Sequence, residues 1–160
     1  MNLLKYDSTV KVLDGYSCFH TITEFRGVDW VTVESTESKG VYILNSPIQV
    51  VTETGSIDVN SVEYLGFHPL SKIVFGTLNL IIHKKQKLLI SFIDNLGADP
   101  VWKTVEEIGE LLGSNTLSIN TVFGNLHITE VAHDVEQNHL YNLIIPNGSS
   151  FYIQHDIKIK

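Results

Sequence analysis

Asp7-Ser-Thr-Val-Lys-Val-Leu-Asp-Gly15 is the stretch that decides the fold of this chain. Val10 and Val12 alternate with Thr9 and Lys11, the period-two pattern of a strand that buries one face. Asp14-Gly15 then closes the strand, because glycine adopts the positive φ of a tight turn at little cost. The same signature continues outward. Short alternating or β-branched runs predict strands at Thr9–Leu13, Phe19–Thr23, Trp30–Glu34, Val41–Leu44, Gln49–Thr52, Ser61–Leu65, Lys72–Phe75, Asn79–His83 and Lys87–Phe92. Five more follow at Leu117–Asn120, Leu126–Val131, Tyr141–Ile145, Phe151–Gln154 and Ile157–Ile159. Further turns fall at Ser38-Lys-Gly40, Thr54-Gly55, Asn95-Leu-Gly97 and Pro146-Asn-Gly148. Short strands at this spacing predict an all-β fold: a sandwich, a barrel or another compact β architecture.

One segment departs from the pattern. Asp99 is placed to cap a helix and Pro100 suits its first turn, while Val101, Val105, Ile108 and Leu112 recur at helical spacing. Glu106, Glu107 and Glu110 take the other face and Gly113 ends it, although Gly109 is unfavourable inside. Trp102, beside the stripe, is assigned to core packing and not to a ligand platform. The fold is therefore read as mostly β with one short helix near residues 100–112. There is also an internal echo. Ile22-Thr-Glu-Phe and Val28-Asp-Trp-Val resemble Val105-Glu-Glu-Ile and Leu112-Gly-Ser-Asn-Thr-Leu, and Val62, Leu70 and Ile73-Val-Phe75 parallel Val131, Leu140 and Leu143-Ile-Ile145. Related halves of this kind fold about a pseudo-twofold axis.

The 160 residues read as a single domain, 1–160, long enough to bury roughly 70% of its unfolded surface without a metal or disulfide. With 43% hydrophobic and 18% charged residues the chain is too apolar for disorder. Cys18 has no second cysteine to pair with, which points to a reducing, cytoplasmic compartment. The start lacks the basic-then-apolar run of a leader, and Leu88-Leu-Ile-Ser-Phe-Ile is far shorter than the roughly 18 apolar residues of a membrane span. A net charge of −7 with no cation cluster beyond Lys84, Lys85 and Lys87 argues against nucleic acid, and that run reads as a solvated hairpin turn.

Four segments together carry a family resemblance. Asp7 to Gly15 resembles the opening motif of the hedgehog/intein (Hint) family, in which a cysteine stands four residues before the aspartate. Ile22-Thr-Glu-Phe-Arg-Gly-Val-Asp-Trp-Val31 is similar to the family's second segment, with the glycine displaced by one place. Trp102-Lys-Thr-Val-Glu-Glu-Ile-Gly-Glu-Leu-Leu resembles the short helical segment of many inteins. Tyr141-Asn-Leu-Ile-Ile-Pro-Asn-Gly-Ser-Ser-Phe151 matches the penultimate motif in register, and Asp156-Ile-Lys-Ile-Lys160 resembles the closing strand, with His155 as one inserted residue. The resemblance implies an all-β horseshoe with internal pseudo-twofold symmetry, and protein splicing as the ancestral activity.

Splicing makes four chemical demands. A first cysteine or serine attacks the preceding carbonyl, and a T-x-x-H motif polarises that amide and protonates the leaving nitrogen. A terminal asparagine cyclises, helped by the histidine before it, and the fold holds the two junctions together. Carried over residue by residue, the nucleophile falls on Leu3, the threonine and histidine of T-x-x-H on His83 and Gln86, the histidine of the penultimate motif on Ser149, and the last histidine on Lys160. The closing asparagine is missing. Gln86 donates hydrogen bonds but transfers no proton at neutral pH, and Cys18 lies too far along to attack the junction before Leu3. The resemblance thus implies a Hint fold without splicing chemistry, serving a structural or protein-binding role towards a protein partner or flanking host segments. The alternatives are an autoprocessing intein with engineered or unusual residues, and a small acidic β protein that neutralises a basic partner such as a toxin.

Other polar groups are weaker. His127, Glu130, His133, Asp134 and His139 are read as a polar strand end and loop, because on a strand His127 and His133 stand about 20 Å apart and one metal holds its nitrogens within about 2.1 Å. His127-Ile-Thr129 is half of a paired phosphoesterase motif whose second copy is absent at His20, and Pro146-Asn-Gly148 lacks the histidines of a cupin. No cofactor and no metal are expected.

Overall fold

The computed structural model describes residues 1–13, 19–21, 40–94 and 98–160. The strands expected at Trp30–Glu34 and the turns at Asp14-Gly15 and Asn95-Leu-Gly97 fall outside them, as do Cys18 and Arg26. Among the described residues twelve strands form one antiparallel sheet: β1 (Leu3–Lys5), β2 (Thr9–Lys11), β3 (Phe19–Thr21), β4 (Gly40–Thr52), β5 (Gly55–Phe75), β6 (Leu78–Ile82), β7 (Lys87–Phe92), β8 (Val101–Thr104), β9 (Leu117–Thr121), β10 (Gly124–Leu143), β11 (Phe151–Ile153) and β12 (Ile157–Ile159). The all-β expectation holds.

Pairing runs from β10 through β9, β7, β12, β11 and β4 to β5, and β5 pairs back onto β10. The circuit closes on itself, so these strands offer few free edges. A single core cluster draws from every member of it, with Val50, Phe75, Leu88, Leu143, Phe151, Ile157 and Ile159 fully buried. No helix among the described residues is long and apolar enough to cross a membrane.

Sequence breaks that read as strand ends are instead absorbed. Val41–Leu44 and Gln49–Thr52 join in β4, whose register against β5 shifts between Ile43 and Ile48. Ser61–Leu65 and Lys72–Phe75 join in β5, where Gly66 takes a φ of 90°. Leu126–Val131 and Tyr141–Ile145 join in β10, with irregular register between Ala132 and Glu136. Bulges add residues to one strand without ending the pairing, and they bend it. The polar group from His127 to His139 therefore lies along a continuous strand, which corrects the expected strand end and loop.

The internal echo has a structural counterpart. Val62 pairs with Leu143 and Ile73 with Val131, so exchanging each residue for its counterpart turns one pair into the other, as a twofold axis between β5 and β10 requires. The hairpins that feed the two strands also match. Thr52 Oγ1 donates to Gly55 O at 3.1 Å and accepts the Thr54 N–H at 3.3 Å. Thr121 Oγ1 donates to Gly124 O at 3.0 Å and accepts the Phe123 N–H at 3.0 Å.

The helix, α1 (Val105–Leu111), starts later than Asp99-Pro100 suggests. Val101–Thr104 pairs with β7 instead, and Thr104 caps the helix. Its side chain accepts the Glu107 N–H at 3.1 Å while the Glu107 carboxylate accepts the Thr104 N–H at 3.0 Å, a capping box. The Thr104 backbone N–H, and after it the Thr104 hydroxyl, hold the Glu107 carboxyl below its usual pKa. Val105 and Ile108 are buried, and a Cβ on Gly109 would stand 3.3 Å from Val131, so the glycine lets α1 approach β10 closely. Trp102 is half-buried on β8 and outside the core, which corrects its assignment to core packing.

Thr104→Ala removes one half of the capping box and leaves the Glu107 N–H without its cap. It is expected to lower the unfolding free energy by about 1 kcal/mol, read by urea denaturation.

Candidate functional site

The turn between β6 and β7 runs from His83 to Gln86 and is closed by the Gln86 N–H on His83 O at 3.0 Å. Helix α1 locks it from behind. The first amides of a helix lack partners within it, and here Val105 N–H donates to Gln86 O and Glu106 N–H to Lys84 O, each at 3.0 Å. With its main chain fixed on both sides, Gln86 places its side chain in the interior, fully buried.

Three elements meet at that side chain. Gln86 Oε1 accepts the Leu3 N–H of β1 at 2.5 Å. Gln86 Nε2 donates to the main-chain oxygen of Lys160, just past β12, at 3.0 Å and to Lys87 O at 3.2 Å. One N–H and two carbonyl-type oxygens fix the orientation of the amide, because only Oε1 accepts and only Nε2 donates. Leu3, Gln86 and Lys160, chosen from sequence as counterparts of the family's chemical positions, thus converge on one point.

Around them, Leu143 N–H donates to Asn2 O at 3.0 Å, Asn2 N–H to Asn142 Oδ1 at 2.9 Å and Asn2 Nδ2 to Leu143 O at 3.0 Å. The carbonyl just before Leu3 is held by β10. Asn2 is a partner that sequence reasoning missed, having no motif to mark it. The Leu3 side chain turns away into a small apolar cluster with Leu70 and Leu140. Beside the junction opens a cleft of about 470 Å³, lined by Asn2, Lys85, Lys87, Trp102, Ile144 and Lys160 among others.

His83 and Ser149 stand apart from this contact. The Lys85 N–H donates to His83 Nδ1 at 3.1 Å, and the ring of His68 lies edge-on at 6.0 Å. Burial, then His68, Lys85 and Lys84, hold the His83 pKa below its ordinary 6.5. Ser149 follows the turn Pro146–Gly148, whose Gly148 lines the cleft. Two histidines of β10 are engaged separately, His133 Nδ1 with Ser71 Oγ and His139 Nδ1 with Tyr64 Oη, both at 2.6 Å. Among the described residues no three of His, Cys, Asp and Glu gather within reach of one ion.

No family model and no curated protein sequence matches the chain. Solved structures do. The DnaB intein from Synechocystis sp. PCC 6803 is similar at 14% identity over 98% of this chain and 96% of its own, with a TM-score of 0.60. The TvoVMA intein matches at 11% identity over 98% and 95%, TM-score 0.66, and the transcription factor IIB Mvu mini-intein at 11% over 99% and 99%, TM-score 0.65. At such identities the likeness is one of fold: this is an intein-like (Hint) domain in architecture.

Gln86→Leu would leave the buried Leu3 N–H and two part-buried oxygens without their partner, and a loss of about 3 kcal/mol in unfolding free energy is expected by chemical denaturation. His83 gives a pH effect of known sign. Its folded pKa lies below the unfolded value of 6.5, so the unfolded chain binds the extra proton first and stability falls as pH drops below 6.5. His83→Asn is expected to flatten this slope in urea titrations between about pH 7.5 and 5.

Proposed function

We propose that this domain keeps the intein fold without the splicing reaction and serves as a structural or protein-binding module, towards a protein partner or flanking host segments. The observation that carries the reading is the contact at Gln86. Three of the five residues that stand in for a splicing centre, Leu3, Gln86 and Lys160, meet there, and none of the three supplies its chemistry.

Leu3 ends in methyl groups packed against Leu70 and Leu140 and has no atom that attacks a carbonyl. Gln86 grips the Leu3 N–H, the amide that a splicing element would cleave, but a neutral carboxamide neither polarises it by charge nor delivers a proton to a leaving nitrogen. Lys160 contributes a main-chain oxygen where the resemblance expects an imidazole nearby. Proximity of the two junctions alone raises the rate of a reaction whose groups are present. Here it holds two strands together.

The test is a fusion of the chain between two reporter proteins, followed by intact mass, with an active intein in the same fusion as standard. A single uncleaved mass is expected from the folded chain over days. Ligated reporters, or either reporter released at a junction, would overturn the reading and make the domain an autoprocessing intein with unusual residues.

A further inference from the structure

The cleft beside Gln86 carries more charge than the junction needs. Lys85 and Lys87 flank Gln86 on the turn and the start of β7, and Lys160 arrives from the far side beyond β12. No aspartate or glutamate lines it among the described residues, although the chain as a whole carries −7. Four lysines elsewhere find carboxylates, with Lys5 on Asp7 at 3.0 Å, Lys11 on Asp156 at 3.5 Å, Lys84 on Glu106 at 3.8 Å and Lys158 on Glu53, whereas Lys72 and Lys103, like those of the cleft, have no ion pair among the described residues. Lys85, Lys87 and Lys160 have no ion pair within 4.0 Å among the described residues. Glu107 feels Lys87, but its carboxylate is committed to the Thr104 N–H. Lys160 Nζ instead rests 5.7 Å from the centre of the Trp102 ring, a cation–π contact that keeps the ammonium on the cleft wall.

We infer that this cleft binds an extended acidic peptide, whose carboxylates pair with Lys85, Lys87 and Lys160 and whose apolar side chains lie against Trp102 and Ile144. The inference deepens the binding-module reading and rests on it. Charge complementarity selects the sign of the ligand. The apolar wall of Trp102 and Ile144 selects a peptide over a bare anion, which would leave that wall unused. The volume of about 470 Å³ suits a few residues and not a folded surface. A long polyanion such as RNA meets the repulsion of the whole acidic chain, whereas two or three carboxylates within a Debye length of about 10 Å feel chiefly the lysines.

The test uses the full chain and a fluorescein-labelled six-residue peptide alternating glutamate and valine, followed by anisotropy, beside the same peptide with glutamine for glutamate. Saturable binding of the glutamate peptide is expected, about tenfold or more tighter than the glutamine peptide, and weakened about tenfold between roughly 50 and 500 mM salt. Lys85→Gln with Lys87→Gln is expected to cost a similar factor with circular dichroism unchanged. Lys160→Gln, on an exposed residue outside the turn, repeats the test should the double variant misfold. Equal affinity for the two peptides, no saturation by the folded chain, or full binding by the folded lysine variants would overturn the inference. So would displacement by citrate at equal carboxylate concentration, which marks a free-anion site, or tighter binding of polyuridylate. If the peptide fails while the reporter fusions stay intact, only the cleft assignment falls. If the fusions splice, the binding-module reading falls whatever the peptide does.

Discussion

The antiparallel ladder between β5 and β10 is the constraint on which the rest depends. Its two strands are the longest among the described residues, and each is fed by a hairpin with the same threonine-to-glycine turn. A pair of long strands cannot stay flat, since strands twist and bulges bend them. The register shifts along β10 give that bending, and the circuit from β10 through β7 and β12 back to β5 closes. Closure fixes the ends of the chain as a consequence. Near its end β10 pairs with β5 along one edge and with β1 along the other, while β12 lies beside β7. Leu3 and Lys160 are thereby delivered to opposite sides of Gln86.

What fills the point of delivery is decided by polar satisfaction. A buried N–H and two part-buried oxygens face one another there, and leaving the N–H unpaired costs about 1–3 kcal/mol. A carboxamide offers one acceptor and two donors on adjacent atoms, which is the complement of that set. A neutral imidazole offers one of each and would leave one oxygen bare. For static cohesion glutamine is therefore the better occupant, and histidine is better only where a proton must move. Asn2 extends the same logic, tying β1 to β10 through its side chain as well as its main chain.

The sequence was legible where period and side-chain type agree. β7 and β12 fall on their expected residues, and β9 extends only to Thr121. The longest strands were seen only in pieces, because Asn45-Ser-Pro-Ile48 and Gly66-Phe-His-Pro69 look like breaks to any local reading and are bridged by pairing partners far along the chain. β1 and β8 were missed for the opposite reason: three or four residues show no period. The helix start was misplaced because Asp99-Pro100 is a good local cap, whereas Thr104 with Glu107 is satisfied in both directions and wins. At the site, the counterparts Leu3, Gln86 and Lys160 came from family spacing. That Gln86 bonds both others depends on the closure of the sheet, which no stretch of sequence encodes alone.

The surroundings of position 86 disfavour a positively charged side chain there. His83, three positions earlier, has its pKa held below the ordinary 6.5 by burial and then by His68, Lys85 and Lys84. An imidazole at position 86 would sit deeper, since Gln86 is fully buried, and between Lys85 and Lys87. Burial and adjacent positive charge both disfavour the imidazolium. Such a histidine would accept the Leu3 N–H but would hold little of the proton that a leaving nitrogen requires. Two of the cations that weigh against an imidazolium at this position, Lys85 and Lys87, also line the cleft beside the junction.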